Sequence, residues 1–248
     1  MCASKMLQVA LDSDGLPCVV TGSVAPGCNM GTSTGAPPAA GAVETGTTIV
    51  ACCFSGGVVL GADTRTSAGS YVVNRAARKI TKLADRICVC RSGSAADTQA
   101  LAQIARFQTQ LYAQELPIQF RGEARVKVVA HLMQQMSYEY KDQLTAGLIV
   151  AGWDSVDGPQ AYSIPIGGSC IPVKYTAGGS GSVFITAFLD SQYRPDLTRE
   201  EAVQLVSRAV AHAISRDGSS GGMVRLVTIE KDGMSEYCIE GNNLPVDP

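Results

Sequence analysis

The order of strand-like and helix-like segments predicts an α+β fold in which antiparallel sheets carry helices on their outer sides. Three observations lead there. Strands come in blocks rather than alternating singly with helices, as a parallel βαβ sheet requires. Helical stretches come in pairs between those blocks. The chain then closes on two apolar segments around Lys231-Asp232-Gly233, the pattern of a hairpin.

The elements follow in order from Thr47. Thr47 to Phe54 is a β-branched and apolar run, and Ser55-Gly56-Gly57 turns it into a second run, Val58 to Ala62. A third strand, Arg86 to Arg91, precedes Ser92-Gly93-Ser94. Ala96, Ala100, Leu101, Ile104, Phe107, Leu111 and Tyr112 then recur at helical spacing. A second helix spans about Glu123 to Tyr140, with Val126, Val129, Leu132, Met133 and Met136 on one face. Leu144 to Trp153, Gln160 to Pro165 and Ile171 to Tyr175 read as strands separated by Asp157-Gly158-Pro159 and Gly167-Gly168. A helix begins near Ser182, and another runs from Thr198 to Arg216, opened by the capping box Thr198-Arg199-Glu200-Glu201. Met223 to Glu230 and Met234 to Ile239 form the final hairpin.

Upstream of Thr47 the composition breaks. Residues 1–46 hold seven glycines and four prolines but no aromatic residue, no histidine and only the charges Lys5, Asp12, Asp14 and Glu44. A segment so poor in large apolar groups does not offset its ordering entropy, so it reads as a flexible or processing leader. Its apolar patch, Met6 to Leu11, is too short and too broken for a signal peptide. The remaining residues, 47–248, are formally neutral, and the whole chain has 17% charged residues and a net charge of −2. That balance argues against nucleic acid as a partner, which is gripped by phosphate neutralisation. The longest apolar stretch, Ala146 to Trp153, falls far short of the ~20 residues of a membrane-spanning helix. Nine cysteines, an odd number set mostly among apolar neighbours, do not resemble a secreted disulfide framework.

Several chemistries fail on the residues present. With two histidines and no spaced Cys/His cluster, no metal site is expected. Cys88 and Cys90 share one face of a strand, where burial explains them better than redox chemistry. Gly178-Gly179-Ser180-Gly181 lacks both the Lys-Ser/Thr ending of a phosphate loop and the third glycine of a dinucleotide loop. Gly218-Ser219-Ser220-Gly221-Gly222 satisfies G-x-S-x-G, yet it precedes a strand rather than a helix and no histidine follows it. His131 and His212 sit within helical patterns. Thr47 remains, at the junction of leader and first strand. Either it only begins that strand, or cleavage after Gly46 frees its α-amine to act as base for its own hydroxyl. An α-amino pKa of ~7.7–8.0 suits that second role.

The motifs taken together resemble a known family. Thr45-Gly46-Thr47-Thr48-Ile49-Val50, Gly57-Val58-Val59-Leu60-Gly61-Ala62-Asp63-Thr64-Arg65, Lys79, Arg91-Ser92-Gly93-Ser94-Ala95-Ala96-Asp97, Gly179-Ser180-Gly181 and Asp217-Gly218-Ser219-Ser220-Gly221-Gly222 occur in the order found in catalytic β subunits of the 20S proteasome. These are N-terminal nucleophile hydrolases, and the resemblance implies a four-layer αββα sandwich of two antiparallel sheets between helical layers. It implies a propeptide, 1–46, removed by autocatalysis at Gly46-Thr47, and a catalytic domain, 47–248. Thr47 would be nucleophile and base. Lys79 would favour its alkoxide, and Asp63 would hold Lys79. Ser180, Asp217 and Ser220 would surround the threonine amine, and the Gly93 N–H would donate to the oxyanion, where loss of a donor costs about 10²–10³ in rate.

Arg91 points to the subtype. In this family the residue two before the oxyanion glycine lines the pocket for the substrate side chain before the cut, and arginine suits a carboxylate. The surrounding sequence is similar to the β1, caspase-like type, which cleaves after acidic residues. Ser67, Ala77 and Ala95 would line the same pocket, with Arg78 adding a second positive charge at its mouth. The resemblance implies no cofactor and no metal. Partners would be other β subunits in heptameric rings, the α-subunit rings and unfolded polypeptide substrates, in cytoplasm and nucleus. A noncatalytic structural β subunit of the same ring is the competing expectation.

Overall fold

A computed structural model describes residues 8–11, 17–20, 46–68, 71–117 and 122–245. The chain divides into two compact units, Met1–Ala42 and Val43–Pro248. In the first, β1 (Gln8–Leu11) and β2 (Pro17–Val20) form an antiparallel ladder. The rest of the expected leader lies outside the described residues.

The second unit is built on two five-stranded antiparallel sheets. One orders its strands β12 (Tyr175–Gly178), β3 (Ile49–Phe54), β4 (Gly57–Asp63), β13 (Val224–Glu230) and β14 (Gly233–Ile239). The other runs β11 (Ile171–Val173), β10 (Gly158–Ile164), β9 (Ala146–Asp154), β8 (Ile87–Gly93) and β7 (Ile80–Ala84). A small hairpin pairs β5 (Thr66–Ala68) with β6 (Tyr71–Asn74).

Strand β3 explains how the layers stack. Its side chains alternate between two faces, and both are buried, which is why it reads as an unbroken apolar run. Val50, Cys52 and Phe54 face α3 (Ser182–Gln192) and α4 (Arg199–Arg216), packing with Ile185, Leu189, Val206 and Val210. Ile49, Ala51 and Cys53 face the second sheet, meeting Leu60, Cys88, Cys90 and Ile149. That sheet's outer face is covered by α1 (Ala95–Glu115) and α2 (Val126–Glu139), through Leu101, Ala105, Val129 and Met133. The result is the four-layer αββα sandwich. Burying each such Leu, Ile or Val contributes about 1.5–3 kcal/mol. Gly61 lets α4 approach β4, because a Cβ there would run into Val206. Burial also silences the thiols: it pushes Cys88 up to about 12 and Cys53 to about 11. This matches the core reading of Cys88 and Cys90.

The final hairpin and the α4 capping box, Thr198 with Glu201, appear as expected. Two regions differ. The single strand expected over 171–175 is two: β11 belongs to one sheet and β12 to the other, with Lys174 between them accepting the Cys53 N–H at 2.8 Å. Strands β5 to β7 were not expected, because Tyr71, Val72 and Val73 are exposed and the segment shows no one-sided apolar pattern. No helix of the described residues is long and apolar enough to cross a membrane.

Asp154 ends β9 and is almost fully buried. It accepts the N–H groups of Val126 (3.0 Å), Val156 (3.1 Å) and Asp157 (2.8 Å) and the amide of Gln160 (2.8 Å), so it caps α2 and closes the β9–β10 turn together. Asp154→Ala leaves those donors unmatched. We expect a loss of about 2–4 kcal/mol and, at ~2–4 °C per kcal/mol for this size, a fall in Tm of roughly 4–16 °C by calorimetry.

Candidate active site

The first sheet brings its chemistry to one end. β3 begins just after Thr47 and Thr48, and β4, its antiparallel neighbour, ends at Asp63. The Thr48 N–H therefore meets Asp63 Oδ1 at 2.9 Å, while the Asp63 N–H donates to the Thr48 carbonyl at 3.1 Å. On the other flank β12 pairs with β3 and delivers Ser180 to Thr47. β13 pairs with β4, placing the 217–222 loop, which joins α4 to β13, beside Asp63. The second sheet supplies Lys79, just before β7, and Gly93, at the end of β8.

Asp63 has no exposed surface and accepts four hydrogen bonds: from Thr48 N, Lys79 Nζ (2.7 Å), Arg65 N (3.1 Å) and Gly221 N (3.0 Å). Lys79 commits all three ammonium protons, to Asp63 Oδ1, to Thr47 Oγ1 at 3.0 Å and to the Gly46 carbonyl at 3.0 Å. Burial outweighs the attraction of Asp63 and lowers the Lys79 pKa from its ordinary value. A cation donating to that hydroxyl favours its alkoxide form over the neutral alcohol.

The Thr47 nitrogen points the other way. In the uncut chain it is an amide whose N–H donates to Ser180 Oγ at 3.1 Å. Ser180 and Ser220 both donate to Asp217 Oδ2 at 2.7 Å, and the Ser219 N–H donates to Oδ1 at 3.0 Å. Burial raises the Asp217 pKa, but these hydrogen bonds, with the Lys79 charge, outweigh it and hold the carboxyl below its usual range. Gly46 is packed against Ser219, and a Cβ at Gly46 would collide with that residue. The peptide bond between Gly46 and Thr47 is thus held with its carbonyl on Lys79 and beside the Thr47 hydroxyl.

A cleft of about 720 Å³ opens from Thr47, lined by Ala77, Arg78, Lys79, Arg91, Gly93 and Ala95 among others. Its cationic lining is Arg78, Lys79, Lys82, Arg91 and Arg106, and among the described residues no acidic one lines it. Arg91 donates from Nε to Thr81 Oγ1 (3.0 Å), from Nη1 to Thr98 Oγ1 (3.2 Å) and from Nη2 to the Arg78 carbonyl (2.7 Å). All three acceptors are neutral. One N–H remains on each Nη, a fork suited to one carboxylate. Burial pulls the Arg91 pKa down from its ordinary value, yet an arginine stays charged. Gly93 has φ +99°, and a Cβ there would strike the Thr145 carbonyl.

Thr47, Asp63, Lys79, Ser180, Asp217 and Ser220 thus form one hydrogen-bonded constellation, and Arg91, Gly93, Ala77 and Ala95 share the cleft. Ser67 is buried on β5 but is not among the residues lining it. Sequence reasoning missed Thr48, Ser219 and the Arg91 supports Thr81 and Thr98; only the register of β7 on β8 and the first turn of α1 bring the last two to Arg91. His131 lies at the surface, against the Lys127 carbonyl, and His212 packs edge-on to Phe188. Among the described residues no group of three or more His, Cys, Asp or Glu could hold a metal.

Residues 43–229 match the family described as Proteasome subunit. The chain is 45% identical over 204 residues to Proteasome subunit beta type-6 of Dictyostelium discoideum, covering 82% of this chain and 94% of that protein. It is 46% identical over 209 residues to Probable proteasome subunit beta type-1 of Schizosaccharomyces pombe (83% and 91%). To Proteasome subunit beta type-9 of Homo sapiens it is 45% identical over 215 residues (87% and 96%).

Asp217 provides a pH-dependent check. A carboxyl with a depressed folded-state pKa adds stability that is fully present above its unfolded pKa of ~3.9 and is lost as pH falls through the folded value. Asp217→Asn is expected to lower stability by about 1–2 kcal/mol at pH 7. The gap to the unaltered chain should close toward pH 3, read by equilibrium denaturation at both pH values.

Proposed function

The chain belongs to the proteasome subunit family, and from that premise we propose that it is a threonine endopeptidase subunit of the 20S core that cleaves after acidic residues. The supporting observation is the double hold on Thr47: its hydroxyl on the Lys79–Asp63 pair and its nitrogen on Ser180 and Asp217.

Maturation comes first in this reading. Thr47 Oγ1 attacks the Gly46 carbonyl carbon, its hydroxyl proton passes to the departing nitrogen and the C–N bond breaks, leaving an ester and a free α-amine; water then hydrolyses the ester, restores the hydroxyl and releases residues 1–46. The geometry of the uncut bond supports this, since its carbonyl already accepts a hydrogen bond from Lys79. The freed amine then serves as base. It takes the Thr47 hydroxyl proton as Oγ1 attacks a substrate carbonyl, and returns a proton to the leaving amine. The Gly93 N–H stabilises the oxyanion. The substrate's acidic side chain reaches the two remaining N–H groups of Arg91, in a cleft that no acidic residue lines among those described. The subunit would act beside other β subunits in a heptameric ring capped by α-subunit rings, in cytoplasm and nucleus, on unfolded polypeptides.

Intact mass and N-terminal sequencing of the assembled particle test the cut. The expected chain begins at Thr47 and, in Thr47→Ala, keeps residues 1–46; a Thr47→Ala chain that is trimmed to residue 47 and still cleaves post-acidic peptides would overturn the assignment. Selectivity tests Arg91. Loss of a charge-assisted fork worth about 1.5–3 kcal/mol predicts that Arg91→Leu lowers kcat/KM for Glu-ending peptides relative to Leu-ending ones by roughly 10- to 100-fold. An unchanged ratio would remove Arg91 from the pocket.

A further inference from the structure

Thr48 carries a hydroxyl that the proposed mechanism does not use, on a residue with no exposed surface. Its Oγ1 lies 2.8 Å from Ser220 Oγ. Distance alone leaves the donor open, but the neighbours decide it. Ser220 Oγ is 2.7 Å from Asp217 Oδ2, and a carboxylate only accepts. Ser220 has one proton and gives it to Asp217, so it accepts from Thr48. Ser180 makes the same commitment to Oδ2 and therefore accepts the Thr47 N–H. Two runs of hydrogen bonds, Thr48 to Ser220 and Thr47 to Ser180, thus converge on Asp217 Oδ2.

The Thr48 backbone ties these runs to the other half of the site. Its N–H and carbonyl are both bonded to Asp63, which holds Lys79. The hydroxyl is also pinned in place: Gly181 has no room for a Cβ because Thr48 Oγ1 occupies it. Thr48, like the Gly221 N–H on Asp63, thus links the Asp63–Lys79 pair to the loop that carries Asp217 and Ser220.

We propose that Thr48 is a positioning residue whose hydroxyl, donated to Ser220, holds that serine on Asp217 and so sets the charge that Asp217 presents through Ser180 to the Thr47 amine. This rests on the reading of Thr47 as nucleophile and base. Without the Thr48 proton, Ser220 lacks its donor and is released to turn from Asp217. The carboxylate then carries more uncompensated charge toward Ser180 and the amine, which favours the protonated amine. The acid limb of the rate profile therefore moves to higher pH.

The test uses the assembled particle with the change confined to this subunit and a Glu-ending peptide as probe. Thr48→Val keeps the shape and removes the hydrogen bond; Thr48→Ser keeps the hydroxyl. We expect Thr48→Val to lower kcat about 10-fold, as small misplacements of reacting groups do, with KM little changed and the acid limb of kcat/KM raised by roughly half a pH unit. Thr48→Ser should restore both. An unmoved acid limb in Thr48→Val, or an equal shift in Thr48→Ser, overturns the proposal. If Thr48→Val fails to assemble, Thr48→Ala takes its place, and if its leader stays uncut, the rate of leader removal against pH is read with the same rescue by serine. Combining Thr48→Val with Ser220→Ala adds a second arm: a loss no greater than that of Ser220→Ala alone supports the shared chain, and full additivity overturns it. Thr47→Ala measured alongside separates the two claims, because cleavage persisting there defeats the underlying reading rather than the role of Thr48.

Discussion

The site is organised around a buried charge. Asp63 is out of contact with solvent and would be strongly unfavourable there without the four donors that converge on it. Those donors come from the residue just before β3, from the turn after β4, from the segment before β7 and from the 217–222 loop. Satisfying one carboxylate therefore fixes the relative placement of parts distant in sequence, and breaking such a buried pair typically costs about 3–5 kcal/mol. The same contact presents Lys79 to Thr47. Stability and the geometry at the proposed nucleophile thus depend on a single group.

A second constraint acts on the uncut bond. Gly46 sits against Ser219 with no space for a side chain, although the adjoining cleft is about 720 Å³. The place a side chain would take on Gly46 therefore faces Ser219, which is not among the residues lining the cleft. The 217–222 loop that presses on Gly46 also holds Asp217 and Ser220, so leader placement and the orientation of the Thr47 nitrogen are set by the same few residues.

Much of this was legible in the residues, for identifiable reasons. β3 and β4 are buried on both faces, so their apolar runs left little choice of structure, and the capping box located the start of α4 without any tertiary information. What escaped was decided by partners far along the chain. β5 to β7 lack a one-sided apolar pattern, and Ile171 to Tyr175 looks like one strand because nothing local says that Lys174 passes from one sheet to the other. In the site, Thr47, Asp63 and Lys79 stood out by resemblance. Thr48 did not: a second threonine at a strand start is ordinary until the 217–222 loop is folded against it. Ser67, placed in the pocket by resemblance, is not among the residues that line the cleft.

The inter-sheet layer has a practical bearing on chemical probes. Cys53, Cys88 and Cys90 lie between the sheets and Cys52 lies beneath the helices, with burial holding Cys52 and Cys88 up to about 12. At neutral pH these thiols are overwhelmingly protonated, and a thiol attacks electrophiles through its anion. An electrophilic warhead shaped for the cleft would meet the Thr47 hydroxyl without competition from four sulfurs that are intrinsically the better nucleophiles. That protection covers these four thiols alone, since Cys238 is exposed and Cys170 partly so.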